Sequence, residues 1–369
     1  LGLKDIQAIA QGKSPSDPQV FTGTGVFRAN RGILFVDELP AIRTKVQVLF
    51  HPILEEKKAI LEEYNWEHPL DLVLIATGNP MGFAHVNDIP RPLLDRLEPV
   101  YMDLPEEDIE KEIMLKETFR VRLGQEMSNE ADEELYPSWE EVVRKVAAPW
   151  WIIDIINKSV RYSRICPYVE KKASIRASNR ALDHTYASVE IENRRVANLR
   201  HAYYGLRLAL RARVGLRADL IDFDNPKKTF ILGDQLTEDF IWNAFEDMRS
   251  GAWLGDNYDR QRLGSELGQL LTSSEVNLAS GQVPSAAISQ YDEVRKVVQR
   301  MKQAAGDKVN QTIVGEPERK LYHSDETEVV EELNYSALEI LANVCLHDGT
   351  SDEAKLNRVF IAHKFKGQA

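Results

Sequence analysis

Arg28-Ala29-Asn30-Arg31-Gly32-Ile33-Leu34-Phe35-Val36-Asp37-Glu38 is the stretch whose reading decides the fold. Four apolar residues run from Gly32 straight into two adjacent carboxylates. A continuous apolar run this short, closed by a glycine and a polar end, reads as a strand buried on both faces of a parallel sheet. Ligands of open α/β sheets sit at the carboxyl ends of such strands. Asp37 and Glu38 therefore stand where a nucleotide would bind, the Asp suited to Mg²⁺ and the Glu to orienting an attacking water. The plain alternative is a buried strand capped by two solvated acids.

Downstream, residues 72–77 form a second buried strand that ends at Gly78-Asn79-Pro80. An amide at the tip of a parallel strand beside the Asp-Glu strand can hydrogen-bond both a γ-phosphate and a water. An Asn that simply starts a turn before Pro80 is the other reading. Between the two strands, Pro40 suits the first turn of a helix that runs to about Glu55. Residues 57–71 have strand character with a polar middle and read as a hairpin. Residues 90–97, Pro-Arg-Pro-Leu-Leu-Asp-Arg-Leu, predict a short helix entered through prolines, and 100–104 a third short strand. Arg96 is either a surface partner of Asp95 or an arginine that reaches a neighbouring subunit's γ-phosphate.

Upstream, residues 1–26 predict a short helical piece followed by loop, with a turn or short hairpin at Thr22-Gly23-Thr24-Gly25. Gly12-Lys13-Ser14 has the ending of a phosphate-binding loop. The reading fails there: Gln7 stands where the motif wants its first glycine, and Pro15 and Pro18 break the helix that should start at the lysine.

The totals bound the function. The chain has 369 residues, 43 % of them hydrophobic, and a net charge of −12. That length allows two or three domains with packed cores. The acidic balance argues against a general nucleic-acid binder. Cys166 and Cys345 lie far apart without metal spacing, which fits a reducing cytoplasmic setting. No apolar run reaches the roughly 20 residues of a membrane helix, and the eight histidines show no zinc spacing.

Taken together, Phe27-Arg-Ala-Asn-Arg-Gly-Ile-Leu-Phe-Val-Asp-Glu, Ala76-Thr-Gly-Asn-Pro and Arg91-Pro-Leu-Leu-Asp-Arg96 resemble the AAA+ ATPases, and within them the magnesium-chelatase ATPase subunit and its MoxR-like relatives. Glu38 and Asn79 are 41 positions apart, and Asn79 and Arg96 are 17 apart. The resemblance covers residues 20–120 well and 138–215 more weakly. It implies an α/β fold: a partial parallel sheet of the P-loop NTPase type over 1–122 and a helical lid over 123–218; beyond about 218 the resemblance fades, and 219–369 reads as a mainly α C-terminal extension. It implies ATP and Mg²⁺, with Asp37 and Glu38 as the Walker B pair, Asp37 on the metal, Asn79 as sensor 1 and Arg96 as the arginine finger. Arg176, or Arg180 one helical turn on, would be the sensor 2 arginine of the lid. The hairpin before sensor 1 would face the pore of a ring, of six subunits by expectation. A von Willebrand factor A-domain protein is the implied partner. The family's phosphate loop has no match here, so either residues precede Leu1, which is the expectation, or the loop has been lost; either way the chain as given is expected to bind ATP poorly. A non-catalytic AAA+-like scaffold and a nucleic-acid motor or loader are the alternatives.

The rest of the chain reads as helical. A charged helix spans 105–122 with acids in its first turn, and 125–137 reads as a linker. Ser138 with Glu141 opens a long helix that Pro149-Trp150-Trp151 kinks or divides. Two helices fill 175–214, where seven arginines from Arg194 to Arg217 meet no acid, and Arg200, Arg207 and Arg211 share a face. That patch reads first as a face neutralised by acids elsewhere, otherwise as a contact for an acidic neighbour or nucleic acid. Further helices are predicted near 237–254, 285–304, 326–347 and 351–365, with partly loop-like 255–284 and a linker over 306–317. No chemistry is legible in this tail, which reads as an assembly module.

Overall fold

The computed structural model describes residues 2–4, 6–14, 20–61, 66–79, 87–119, 145–211, 213–250, 258–273, 276, 278–311 and 316–345. The chain divides into two units, Leu1–Asp103 and Leu104–Ala369.

In the first unit, strand β1 (Gly2–Lys4) pairs antiparallel with β2 (Phe21–Gly23), where loop was expected. Between them lies helix α1 (Ile6–Ala10). Gly12 follows it at φ +93°, with Gly12 N–H donating to Ile9 O and Lys13 N–H to Ala8 O. This is a Schellman end, the left-handed turn that glycine makes without strain. Gly12-Lys13 follows the end of α1.

After helix α2 (Gly25–Arg28) comes β3 (Gly32–Val36), which pairs parallel with residues Leu72–Ala76, so that Ile33 faces Val73 and Val36 faces Ala76. The expected helix to Glu55 is broken into a 3-10 turn (Leu39–Ala41), α3 (Thr44–Gln47) and α4 (Phe50–Glu55). Pro52 is the reason: it has no N–H to continue the ladder of α3, and it is tolerated in the first turn of a new helix. The hairpin is present as β4 (Lys58–Leu61) and β5 (Trp66–Pro69), and leads into β6 (Leu72–Ala76). Short helix α5 (Arg91–Leu94) follows Pro90 as expected. Leu39, Phe50, Ile53, Ala59, Leu70 and Leu93 form the core.

Two expectations fail here. Residues 100–104 form no strand, because none of the described strands pairs with them, and Val100, Tyr101 and Met102 are exposed. Nor are β3 and β6 buried on both faces. Leu34, Val36, Leu72 and Leu74 face the core, while Ile33 (64 % exposed), Phe35 (60 %), Val73 (59 %) and Ile75 (47 %) face outward. The alternation of a two-stranded sheet puts every second side chain there.

The second unit is helical. Helix α6 (Glu107–Phe119) was expected to close the first domain, but its Glu110 is buried against Arg161, Arg164 and Ser178 of the second unit. The two compact units meet at Asp103/Leu104, and the expected boundary at 122/123 lies outside the described residues. Residues 120–144, with the expected linker and the helix from Ser138, lie outside the described residues. Pro149 starts helix α7 (Trp150–Ile165) instead of kinking a longer one, and 145–149 is extended, with Ala147 bridged to Val196. Trp150 and Trp151 are core residues.

Next come β7 (Val169–Lys171), α8 (Ile175–Ile191), α9 (Leu199–Arg211) and β8 (Gly215–Leu216), which pairs with β7. Gly205 of α9 allows the closest crossing: a Cβ there would lie 2.4 Å from Ala181 O of α8.

Helix α10 (Pro226–Ser250) is longer than expected. Helix α11 (Arg260–Thr272) occupies a stretch read as partly loop. Gly264 and Gly268 hid it, whereas its Asp259 cap accepts from the Gln261 and Arg262 N–H groups. Helices α12 (Ser285–Ser289), α13 (Asp292–Gln311), α14 (Glu316–Leu321) and α15 (Thr327–Cys345) complete the unit. Gly306 thus lies inside a helix and not in a linker. The expected helix at 351–365 and the end of the one expected to reach 254 lie outside the described residues. The expected lid and extension share one core. Trp151 Nε1 donates to Ser336 Oγ at 2.9 Å, and Glu339 accepts from Leu199 N–H at 3.0 Å.

Candidate functional site

The parallel pairing of β3 with β6 sets Asp37, Glu38 and Asn79 at the same carboxyl end of neighbouring strands, all exposed. The pair is tied at its other end too. Arg31 N–H donates to Asp71 O, and Asp71 N–H donates to Asn30 Oδ1 at 2.9 Å. Thr77 ties the carboxyl end. Its N–H donates to Val36 O at 3.0 Å, and its carbonyl accepts Leu39 N–H at 2.8 Å. Its hydroxyl donates to Asp37 Oδ1 at 2.5 Å and accepts Glu38 N–H at 3.0 Å.

Glu38 itself sits at φ 52°, ψ 52°, left-handed backbone that a non-glycine residue uncommonly adopts. The turns after the two strands touch: a Cβ on Gly78 would lie 2.9 Å from Pro40 Cδ and Cγ. Asn87 clamps the same turn, its Nδ2 donating to Pro40 O and Ile42 O, each at 3.2 Å. Residues 80–86 lie outside the described residues.

The donor set at this edge suits a hard divalent cation. Asp37 offers carboxylate oxygen, and Mg²⁺ commonly takes one or two carboxylates while substrate phosphates and waters complete its shell. Among the described residues no group of three or more His, Cys, Asp or Glu could hold a metal ion.

Arg96 pairs with Glu55 of α4, not with Asp95, and also donates to Pro92 O. Its side chain is about a quarter exposed, and its buried Nε has no partner among the described residues. On the hairpin, Trp66 stacks on Phe27 with centroids 6.2 Å apart, and His68 tilts against both rings.

Arg176 and Arg180 lie in the first turns of α8 in the second unit, both exposed, with Arg180 paired to Asp183 at 3.2 Å. Five of the seven arginines of 194–217 have acid partners, while Arg195 donates to Lys145 O and Arg213 to Ala209 O. Arg207 and Arg211 hold Asp234, Arg194 and Arg200 meet Glu192, and Arg217 meets Asp219. The neutralised face of the first reading is thus present for these five.

Sequence reasoning gave Thr77 and Gly78 no role. Their signal was present, a β-branched hydroxyl residue and a glycine between strand end and amide, but which partners they would meet depended on the register of β3 and β6.

Residues 3–97 match the family model of the AAA domain, dynein-related subfamily. A search among curated proteins finds no match. Two similar solved structures illustrate the neighbourhood. One is a crystal structure of a Cytophaga hutchinsonii protein described as a candidate ATPase, 19 % identical with a TM-score of 0.24, covering 58 % of this chain and 67 % of that one. The other models the complex of subunits BchI and BchD of magnesium chelatase on a cryo-EM reconstruction. It is 18 % identical with a TM-score of 0.21, covering 59 % of this chain and 66 % of that one.

Proposed function

We propose, from the premise that residues 3–97 are an AAA-type domain, that the chain is an ATP-hydrolysing subunit that works in a ring and remodels or activates a partner protein. The observation that carries this reading is the meeting of Asp37, Glu38 and Asn79 at one carboxyl edge of paired parallel strands. Bound ATP with Mg²⁺ supplies the phosphoryl group and a cation that neutralises its charge. Asp37 would hold the cation. The Glu38 carboxylate accepts a hydrogen bond from the attacking water and takes its proton. The Asn79 amide donates toward the γ-phosphate and accepts from the same water, which limits the angles from which the water approaches.

Arg96 would stabilise transferred charge on the neighbouring subunit's nucleotide, and Arg176 or Arg180 would respond to nucleotide from the lid. For Arg96 this requires release from Glu55, so the ion pair is the resting partner of the guanidinium. A cytoplasmic setting follows from the two widely spaced cysteines, and a von Willebrand factor A-domain partner from the sequence resemblance. The partner is checked by adding such a protein, encoded beside this one, to a turnover assay, where an unchanged rate counts against it. Against the nucleic-acid reading stand the ion pairs that five of the seven arginines of 194–217 make within the chain.

In the native protein, Glu38→Gln should lower ATP turnover by about 10²–10⁴-fold and leave nucleotide binding intact. Turnover at the wild-type rate would remove Glu38 from the chemistry. Arg96→Ala subunits mixed into wild-type rings should depress activity more than in proportion to their fraction, and strictly proportional loss would deny the arginine a role between subunits.

A further inference from the structure

The hydroxyl of Thr77 is committed in two directions at once, toward the side chain of one acid and the backbone of the next. We propose that Thr77 is a positioning residue for both Asp37 and Glu38, an inference that rests on the ATPase reading above.

A threonine hydroxyl has one proton to give and lone pairs to accept with. Here the proton goes to Asp37 Oδ1 at 2.5 Å, and a lone pair takes Glu38 N–H at 3.0 Å. The first bond holds one oxygen of the Asp37 carboxylate and fixes the plane in which the other, Oδ2, is offered to a cation. The second holds Glu38 in its left-handed conformation, at φ 52°, a state that persists only where surroundings enforce it.

The main chain of Thr77 adds the bonds to Val36 O and from Leu39 N–H. One residue thus grips four consecutive positions, 36–39. The branched Cβ restricts the rotamer of Thr77, so the hydroxyl is held ready. Gly78 lets the following turn close on Pro40. A hydroxyl that merely satisfied itself at an exposed strand end would bond to water or its own turn, and would not bridge both acids.

Thr77→Val keeps shape and branching and deletes the hydroxyl, while Thr77→Ser keeps the hydroxyl. The test uses the native protein with a nonhydrolysable ATP analogue. It reads Mn²⁺ affinity by electron paramagnetic resonance, hydrogen exchange at the Glu38 amide, and ATP turnover. In Thr77→Val, Mn²⁺ affinity and turnover should each fall about 10–100-fold, the usual reach of a group that orients a ligand, and the Glu38 amide should exchange at least tenfold faster. Thr77→Ser should restore all three to near the wild-type values.

Wild-type Mn²⁺ affinity and Glu38 exchange in Thr77→Val would overturn the positioning role even if the protein hydrolyses ATP. Equal damage in both variants, with a matching drop in melting temperature, would also overturn it by assigning Thr77 to packing. If the native protein binds no ATP, the ATPase reading fails instead, and Mn²⁺-independent exchange at Glu38 still tests the contact by itself.

Discussion

The two units of this chain place charge and apolar surface in opposite ways. In Leu1–Asp103 the acids of the candidate site are exposed, and so is one apolar face of its parallel sheet, where Phe35 is 60 % open to solvent. In Leu104–Ala369 carboxylates are buried and Trp151 has no exposure at all. Glu110 is the clearest instance. Arg164 forks onto both its oxygens at 2.8 and 2.6 Å, with Arg161 and Ser178 adding bonds at 3.1 and 2.9 Å. The strand ends of the first unit are held by hydrogen bonds such as those of Thr77, whereas the second is held by burial. Local rules yield where groups must meet a ligand, and the proposed function puts that place in the first unit.

The contrast can be tested in order of size. Removing the buried carboxylate with Glu110→Ala should cost about 3–5 kcal/mol, because it leaves two arginines facing an uncompensated cavity, as read by urea denaturation. A loss below about 1 kcal/mol would show that the arginines find water or other acids. Burial acts to raise the Glu110 carboxyl, but the Arg164 fork, Ser178 and Arg161 outweigh it and hold it below its ordinary range. Its stabilisation is therefore complete above the unfolded value and is lost as pH falls through the folded one.

A second test uses two buried groups around the start of α9. Burial pushes Glu339 up to about 7, although Leu199 N–H and the Tyr335 hydroxyl oppose it. Burial also pushes His201 down to about 4 against the pull of Glu192. The signs are opposite. As pH falls from about 7 toward 4.5, native Glu339 takes up a proton before the unfolded chain does, which adds stability. As pH falls from 6.5 toward 4, the unfolded chain protonates its histidine first, which removes stability. The two offset each other across pH 6.5 to 4.5. We expect Glu339→Gln to make the unit lose stability on acidification over that window, and His201→Gln to make it gain, each on the order of 1–3 kcal/mol. Equal pH slopes for wild type and both variants would show that neither group is shifted.

The smallest effect is expected on the open sheet. Phe35→Ser should change stability by no more than about 0.5 kcal/mol, as for other exposed positions. A loss of several kcal/mol in the native protein would show that this face is covered in solution.

How much of this was legible follows particular residues. The apolar run before Asp37, the second run before Asn79 and the prolines around Arg91 announced β3, β6 and α5 because each signal is local. The hairpin was legible for the same reason. Helix α11 was missed because Gly264 and Gly268 lower helix propensity, and tertiary burial of Leu263, Leu267 and Leu270 overrides that. Residues 100–104 carry strand residues but no strand, since propensity supplies no partner. The Arg96 partner was misjudged because Glu55 lies 41 positions away and only the packing of α4 near the end of α5 brings the two together.

By itself the amino-acid order determined the chemistry at the edge: two acids after one strand, an amide after another, an arginine beyond. Periodicity and punctuation act over a few residues, and that is the range over which sequence speaks directly. The tertiary structure decided what those groups touch. Register placed Thr77 between Asp37 and Glu38, helix packing sealed Glu110 among arginines, and a sheet of two strands left half its apolar side chains outside. Each of these depends on contacts between distant segments, whose free energy is settled only when the whole chain has folded around them.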